Sequence, residues 1–308
     1  MRPELTDPLP AMEWLTAHLT QFVPGPRSVR ARGMTKRCAE LAMTYSYLRA
    51  WVREGSLPAN PFAVQLDAWQ EILQRRCEDR ALRRRVFEDP DAALFHAQPY
   101  LWLRATGYQA DGWEDALARL TSDGVRPASM GVLHLLWKAG LLRPQPDWRR
   151  ALVRWLSGWG DHCKPWDHDA YRITHAAFYI SDLGNQVPPV APADLDRLID
   201  LARRLLVRAT ARRRWDLTGE LLIALTCLAG EDPLQRQVTR AFCTSWTMAP
   251  AAASPRTGGV HRRKTTEDLD EAFRRRYHTT IVDVLRCATT VRAAEACTVP
   301  QGTVESAS

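Results

Sequence analysis

Apolar residues recur every three or four positions along most of the chain, which is the spacing of one face of an α-helix. The clearest example runs from Asp194 to about Arg214, where leucines fall on one face and arginines on the other. Pro188, Pro189 and Pro192 separate this segment from the preceding helix. No stretch alternates apolar and polar residues over the length of a strand. The pattern therefore predicts an all-α protein.

The predicted helices bury their apolar faces by packing as antiparallel pairs, as in an α/α toroid or an irregular helical array. No repeat of fixed period is present, which argues against a regular solenoid. We expect a proline-punctuated segment with one short helix, a main helical domain, a flexible basic loop, a C-terminal helix packed on the main domain, and a disordered tail. These units are predicted at residues 1–33, 34–247, 248–264, 265–292 and 293–308.

The charge and the cysteine content indicate what kind of partner and which compartment to expect. The net charge of +7 favours an acidic partner, unless the arginines merely face solvent. The seven cysteines occur at irregular spacings without a C-x-x-C pair, so we expect a reducing compartment and no disulfide framework. The sequence contains no signal-peptide pattern and no run long enough to span a membrane. We therefore expect a cytoplasmic protein without membrane contact.

The twelve tryptophans have two interpretations. They can be large anchors of the core, or a stacking platform for single-stranded nucleic acid with basic residues on the same face. The sequence contains no helix-turn-helix, zinc-finger, phosphate-loop or dinucleotide motif. We prefer the core interpretation, and nucleic acid is not an expected partner.

The richest candidate site is a helix predicted at about residues 167–183, with Gly184 at the position of a C-terminal cap. His175 would transfer protons near neutral pH, with Asp182 or Tyr179 orienting its ring. A structural hydrogen-bond network is the alternative, because such networks also hold titratable groups. Two phenols, one imidazole and one carboxylate share the face at positions i, i+4, i+8 and i+11: Tyr171, His175, Tyr179 and Asp182.

Asp216 and Glu220 form a second candidate, one helical turn apart. Carboxylates at this spacing share a face and raise each other's pKa, so Glu220 would serve as a base. Alternatively, Asp216 caps the helix and Glu220 pairs with an arginine. The third candidate is His278 with Thr279 and Thr280, whose donors would contact an anion or would simply lie on the helix surface.

A metal site is the weakest candidate. His162, Cys163 and His168 include zinc-binding residue types, but their spacing fits no paired-ligand pattern and no distal pair completes a set of four. We therefore expect neither a metal nor a cofactor.

Three short motifs in the C-terminal half carry a family resemblance. They resemble motifs of an actinobacterial family of unassigned function from specialised-metabolite gene clusters, over residues 150–290. That family has Thr and Phe where this chain has Ser181 and Leu183. The motifs are Thr174-His175-x-x-Phe178-Tyr179-x-Ser181-Asp182-x-Gly184, Asp216-x-x-Gly219-Glu220-Leu221-Leu222 and Tyr277-His278-Thr279-Thr280.

Size, basic charge and helical make-up also resemble the large subunit of two-component aziridine-forming enzymes of azinomycin-type antibiotic pathways. The resemblance implies that an amino group displaces a neighbouring sulfate on an amino-acid derivative held by an acidic carrier protein, with a smaller partner subunit. The alternative is a non-catalytic helical interaction subunit that stabilises a partner protein. If the chain is an enzyme, we expect His175, Asp182, Glu220 and His278 to converge on one cavity.

Overall fold

The computed structural model describes residues 6–23, 31–122, 129–157, 167–248 and 266–298. Within these ranges the chain forms thirteen α-helices and no strand, which confirms the all-α prediction. The helices are α1 Leu9–Ala17, α2 Ala31–Arg53, α3 Ala59–Glu78, α4 Arg80–Glu88, α5 Ala93–Arg104, α6 Glu114–Ser122, α7 Met130–Lys138, α8 Trp148–Ser157, α9 Asp167–Ile180, α10 Pro192–Ala211, α11 Trp215–Ala229, α12 Pro233–Met248 and α13 Thr266–Thr298.

Helix starts follow the capping chemistry of the sequence. The Asp79 carboxylate accepts a hydrogen bond of 2.8 Å from the Ala81 amide at the start of α4. Ser129 caps α7 in the same way through the Val132 amide.

At the other end of the chain, α13 continues to Thr298, beyond residue 292 where we expected it to end. Residues 249–264 of the predicted loop lie outside the described residues.

The core consists of two apolar clusters that meet at α11 and α13. One cluster is built mainly from α1 to α5 and α13, and the other from α8 to α12. α11 contacts α9, α10, α12 and α13, and it is apolar on nearly all sides, as a helix enclosed by others must be. Four tryptophans are almost fully buried, which agrees with the core interpretation: Trp51, Trp69, Trp113 and Trp148.

Gly219 permits the close approach of α11 and α13. A Cβ atom at this position would lie 2.5 Å from Val282 Cγ1, closer than real Cβ atoms come, and 3.1 Å from Phe242 Cε2. Any other residue would therefore push α13 away from α11. The neighbouring residue on α11 is Glu220, whose position relative to α13 depends on this contact.

We expect Gly219→Ala to lower the free energy of unfolding by about 1–3 kcal/mol, because the added methyl group overpacks the contact with Val282. Urea denaturation measures the change. Gly33→Ala is the matched control, because Gly33 lies within α2 with open space around it. That variant should gain up to about 1 kcal/mol from helix propensity. Equal behaviour of the two variants would contradict the packing argument.

Candidate functional site

A cavity of about 410 Å³ lies between α2, α5, α7, α9, α11 and α13, and we call it the inner cavity. Most of its wall is apolar, and a small set of polar side chains converges on it, as is usual for small-molecule sites. The ionisable residues and phenols in the wall are Lys36, Glu40, Tyr47, His134, His175, Tyr179, Glu220 and His278.

Glu220 joins α9 and α13 at this cavity. Its side chain is buried, and its Oε2 atom accepts a hydrogen bond of 2.6 Å from Thr174 Oγ1 on α9. The other oxygen, Oε1, accepts from His278 Nε2 on α13 at 3.1 Å. His175 Nε2 lies 3.8 Å from Oε2, an ion-pair rather than a hydrogen-bond distance. One buried carboxylate therefore contacts groups from two other helices.

His278 lies between two carboxylates. Its Nε2 atom contacts Glu220, and its Nδ1 atom lies 3.5 Å from Glu40 Oε1 on α2. Burial alone would lower the pKa of His278, but hydrogen bonds and charges of Glu220 and Glu40 outweigh it and raise the pKa to about 10. Burial likewise opposes the charge of Glu40, yet His278 and Lys36 hold the pKa of Glu40 below its usual value. His278 is therefore a cation at neutral pH.

His175 lies at the edge of the inner cavity, with its side chain half exposed. Its ring lies beside Tyr179, with centroids 6.0 Å apart. Burial, followed by the charge of Glu220, raises the pKa of Tyr179 to about 12, so this phenol remains a neutral donor. His175 and Glu220 therefore lie at ion-pair distance at the edge of the inner cavity.

Asp182 does not lie on the helical face of His175, and that expectation is wrong. α9 ends at Ile180, and Asp182 has a left-handed backbone with φ of +46°. The amides of Asp182 and Leu183 donate to the carbonyls of Tyr179 and Phe178, which is the pattern of a Schellman motif. Asp182, rather than Gly184, therefore occupies the left-handed position that terminates the helix.

The Asp182 carboxylate instead connects the end of α9 to α2 and α7. It accepts hydrogen bonds from Tyr47 at 2.8 Å, His134 at 2.9 Å, Lys138 at 2.8 Å and Asn185 at 3.0 Å. Burial opposes its charge, but His134 and Lys138 hold the pKa of Asp182 well below its usual range. Burial lowers the pKa of His134, so this ring is neutral. Asp182 thus fixes Tyr47 and His134, two residues of the cavity wall.

The remaining predicted residues lie away from the inner cavity. Tyr171 donates a hydrogen bond to Asp216, and neither lines the cavity. Thr279 and Thr280 are buried on α13 outside the cavity wall, and Thr280 Oγ1 donates to the Arg276 carbonyl of its own helix. Of the predicted site residues, the structure brings four to the inner cavity: His175, Tyr179, Glu220 and His278.

Sequence reasoning missed the residues of α2 and α7. Glu40 and Tyr47 are seven residues apart on α2, and His134 and Lys138 are four apart on α7. Each pair therefore shares a helical face, and two polar groups on an otherwise apolar face are the signal that was available.

No metal site is evident in the part of the chain that the structure describes. There, no three His, Cys, Asp or Glu side chains are grouped as ligands would be. His162 and Cys163 lie outside the described residues, as does the side chain of His168. Among the described helices, none combines the length and apolarity that crossing a bilayer requires.

The inner cavity belongs to a region that a family model covers. No curated protein and no solved structure matches the chain. A family model, described as a domain of unknown function (DUF6895), matches residues 9–288 and so includes every residue named in the cavity wall. The chain therefore belongs to the DUF6895 family.

Proposed function

We propose that the protein is a cofactor-independent enzyme of specialised metabolism that uses His175 as a general base on a small, amino-acid-derived substrate. The observation that carries this proposal is the position of His175 beside the buried Glu220 carboxylate at a cavity of small-molecule size. Thr174 and His278 hold both oxygens of that carboxylate, so it is fixed in orientation toward the imidazole. A general base held in this way contributes about 10²–10⁴-fold to a rate.

The reaction that fits best is displacement of a sulfate by a neighbouring amine, which closes an aziridine ring. The substrate ammonium first gives a proton to His175, because an ammonium has no lone pair. The amine nitrogen then attacks the adjacent carbon, and a C–N bond forms as the C–O bond breaks. Sulfate leaves with the bonding electron pair, and the ring nitrogen releases its remaining extra proton to solvent. No oxidant or reductant is consumed.

The apolar wall of the inner cavity supports this chemistry. Met43, Phe95 and Ile281 lie in that wall, and apolar surroundings disfavour the charged form of an amine. The two carboxylates of the wall already contact the His278 cation, so the apolar part of the wall favours loss of the substrate proton.

The charge of the protein supports delivery of the substrate by an acidic carrier protein. The net charge is +7, and Arg212 and Arg213 are exposed at the end of α10. A smaller partner subunit would complete the complex. The rival role is a non-catalytic helical subunit that stabilises a partner. It predicts no turnover of any amino sulfate, free or linked to a carrier protein.

The test is to incubate the purified protein with vicinal amino sulfates, both free and linked to a carrier protein. We expect equal amounts of inorganic sulfate and aziridine product, measured by ion chromatography and NMR. The N-acetylated substrate is the chemical control, since its nitrogen lone pair is delocalised. Tyr171→Phe is the protein control and should retain turnover, because Tyr171 lies outside the inner cavity. If no sulfate is released from any of these substrates, with or without a partner subunit, the enzymatic proposal is contradicted and the interaction role remains.

A further inference from the structure

A second cavity of about 410 Å³ adjoins the inner cavity, and we call it the outer cavity. It lies between the start of α7, α8 and α9. The two cavities share four residues of their walls, so one molecule can contact both. The shared residues are Ser129, Gly131, His175 and Tyr179.

The two cavities differ in charge. Among the described residues, the outer wall contains Arg154 from α8 and Arg172 from α9, and it contains no carboxylate. The inner wall contains the carboxylates of Glu40 and Glu220. His175 therefore lies at the junction between an outer cavity with two arginines and an inner cavity whose two carboxylates are offset by Lys36 and His278.

Arg172 makes an aromatic contact in this wall. Its guanidinium lies 5.5 Å from the centre of the Trp155 ring, within the range of a cation–π interaction. Planar guanidinium groups bind sulfate and phosphate oxygens with two parallel hydrogen bonds, so a guanidinium in a cavity wall suits a tetrahedral oxyanion. The hydroxyl-bearing Ser129 also lies in this wall.

A glycine at the start of α7 makes room for a phenol of the shared wall. A Cβ atom at position 131 would lie 2.7 Å from the Tyr179 hydroxyl, so Gly131 leaves the space that this phenol occupies. The Tyr179 hydroxyl is thereby held against the start of α7, in a wall that both cavities share.

We infer that the outer cavity binds the tetrahedral oxyanion of a substrate, a sulfate or phosphate ester, while the body of that substrate occupies the inner cavity. The catalytic meaning of this subsite rests on the proposed function, since the bound oxyanion would be the group that leaves. The binding itself does not depend on that reaction. The substrate class is an ester whose amine reaches His175 while its oxyanion contacts Arg154 and Arg172.

The test is calorimetric titration of the purified protein with sodium sulfate and with sodium phosphate at constant ionic strength. Arg154→Ala/Arg172→Ala should weaken saturable oxyanion binding by about tenfold or more, because it removes two charge-assisted donors. Arg149→Ala/Arg150→Ala is the matched control, since both arginines are exposed on α8 outside the cavity walls. It loses the same charge and should bind as the wild type does.

Each outcome decides a separate statement. Tighter binding of sulfate or of phosphate identifies which ester the site takes, and either result supports the subsite. Equal weakening in both double variants, or no saturable binding of either anion, overturns it. Oxyanion binding without turnover of any amino sulfate would leave the subsite in place and contradict the proposed reaction. Turnover of an amino sulfate that is unchanged in Arg154→Ala/Arg172→Ala would support the proposed reaction and contradict the role of the outer cavity in it.

Discussion

His175→Ala is expected to lower kcat for sulfate displacement by about 10²–10⁴-fold, the contribution of a positioned general base. The melting temperature should stay the same, because the side chain is half exposed and its loss leaves no buried void. Steady-state kinetics and a thermal melt of the same preparation measure the two quantities.

The pH profile of this variant provides the control. Raising the pH deprotonates the substrate amine in solution, so the His175→Ala rate should recover toward that of the wild type as the pH increases. A structural role for His175 would give the opposite pattern: a lower melting temperature and a kcat that changes little at any pH.

Asp182→Asn is expected to lower the free energy of unfolding by about 3–5 kcal/mol, the usual effect of breaking a buried ion pair. The charge of Lys138 would lose its partner, and an amide nitrogen in place of Oδ2 would face the donors of Lys138 and Asn185. Asparagine tolerates the left-handed backbone at φ of +46°, so the substitution tests charge rather than strain. Urea denaturation at pH 7 measures the change.

The pH dependence checks the cause. The folded state holds the pKa of Asp182 well below its unfolded value of about 3.8, so its contribution is present above that value and is lost as the pH falls below it. The difference in free energy of unfolding between the wild type and Asp182→Asn should therefore become smaller at acidic pH. Asp200→Asn is the control, because Asp200 pairs with Arg204 on the exposed surface. It should change stability by less than about 1 kcal/mol. A similar loss in both variants would contradict the argument.

The sequence predicted the helices well where an apolar face is long and regular. α10 illustrates this: it was predicted from Asp194 to about Arg214 and spans Pro192–Ala211, and its buried residues recur at helical spacing through Ala209. The end of α9 could not be predicted in the same way. A left-handed helix terminus usually has glycine, and here Gly184 lies two residues beyond the aspartate that terminates the helix.

The contacts of Glu220 with α9 and α13 depend on how the helices pack, so the sequence indicated them less clearly than it indicated the helices themselves. A carboxylate within the apolar run of α11 identified Glu220 as unusual, because such groups are rarely buried without partners. Its partner His278 is 58 residues away, and their contact depends on how closely α13 approaches Gly219. Side-chain spacing along α2 marks Glu40 as a polar residue on an apolar face, but it carries no information about which helix packs against that face, so the contact of Glu40 with His278 was missed.

The central claim is that α2, α9, α11 and α13 bring their ionisable side chains to one cavity, with His278 held between Glu40 and Glu220. NMR titration of histidine side chains in the isotope-labelled protein tests it most directly. We predict a pKa of about 10 for His278, so that its favourable contribution to stability persists below pH 6.5 and is lost as the pH rises through 10. Glu220→Gln should lower that pKa. An ordinary pKa near 6.5 that does not respond to Glu220→Gln would contradict the account.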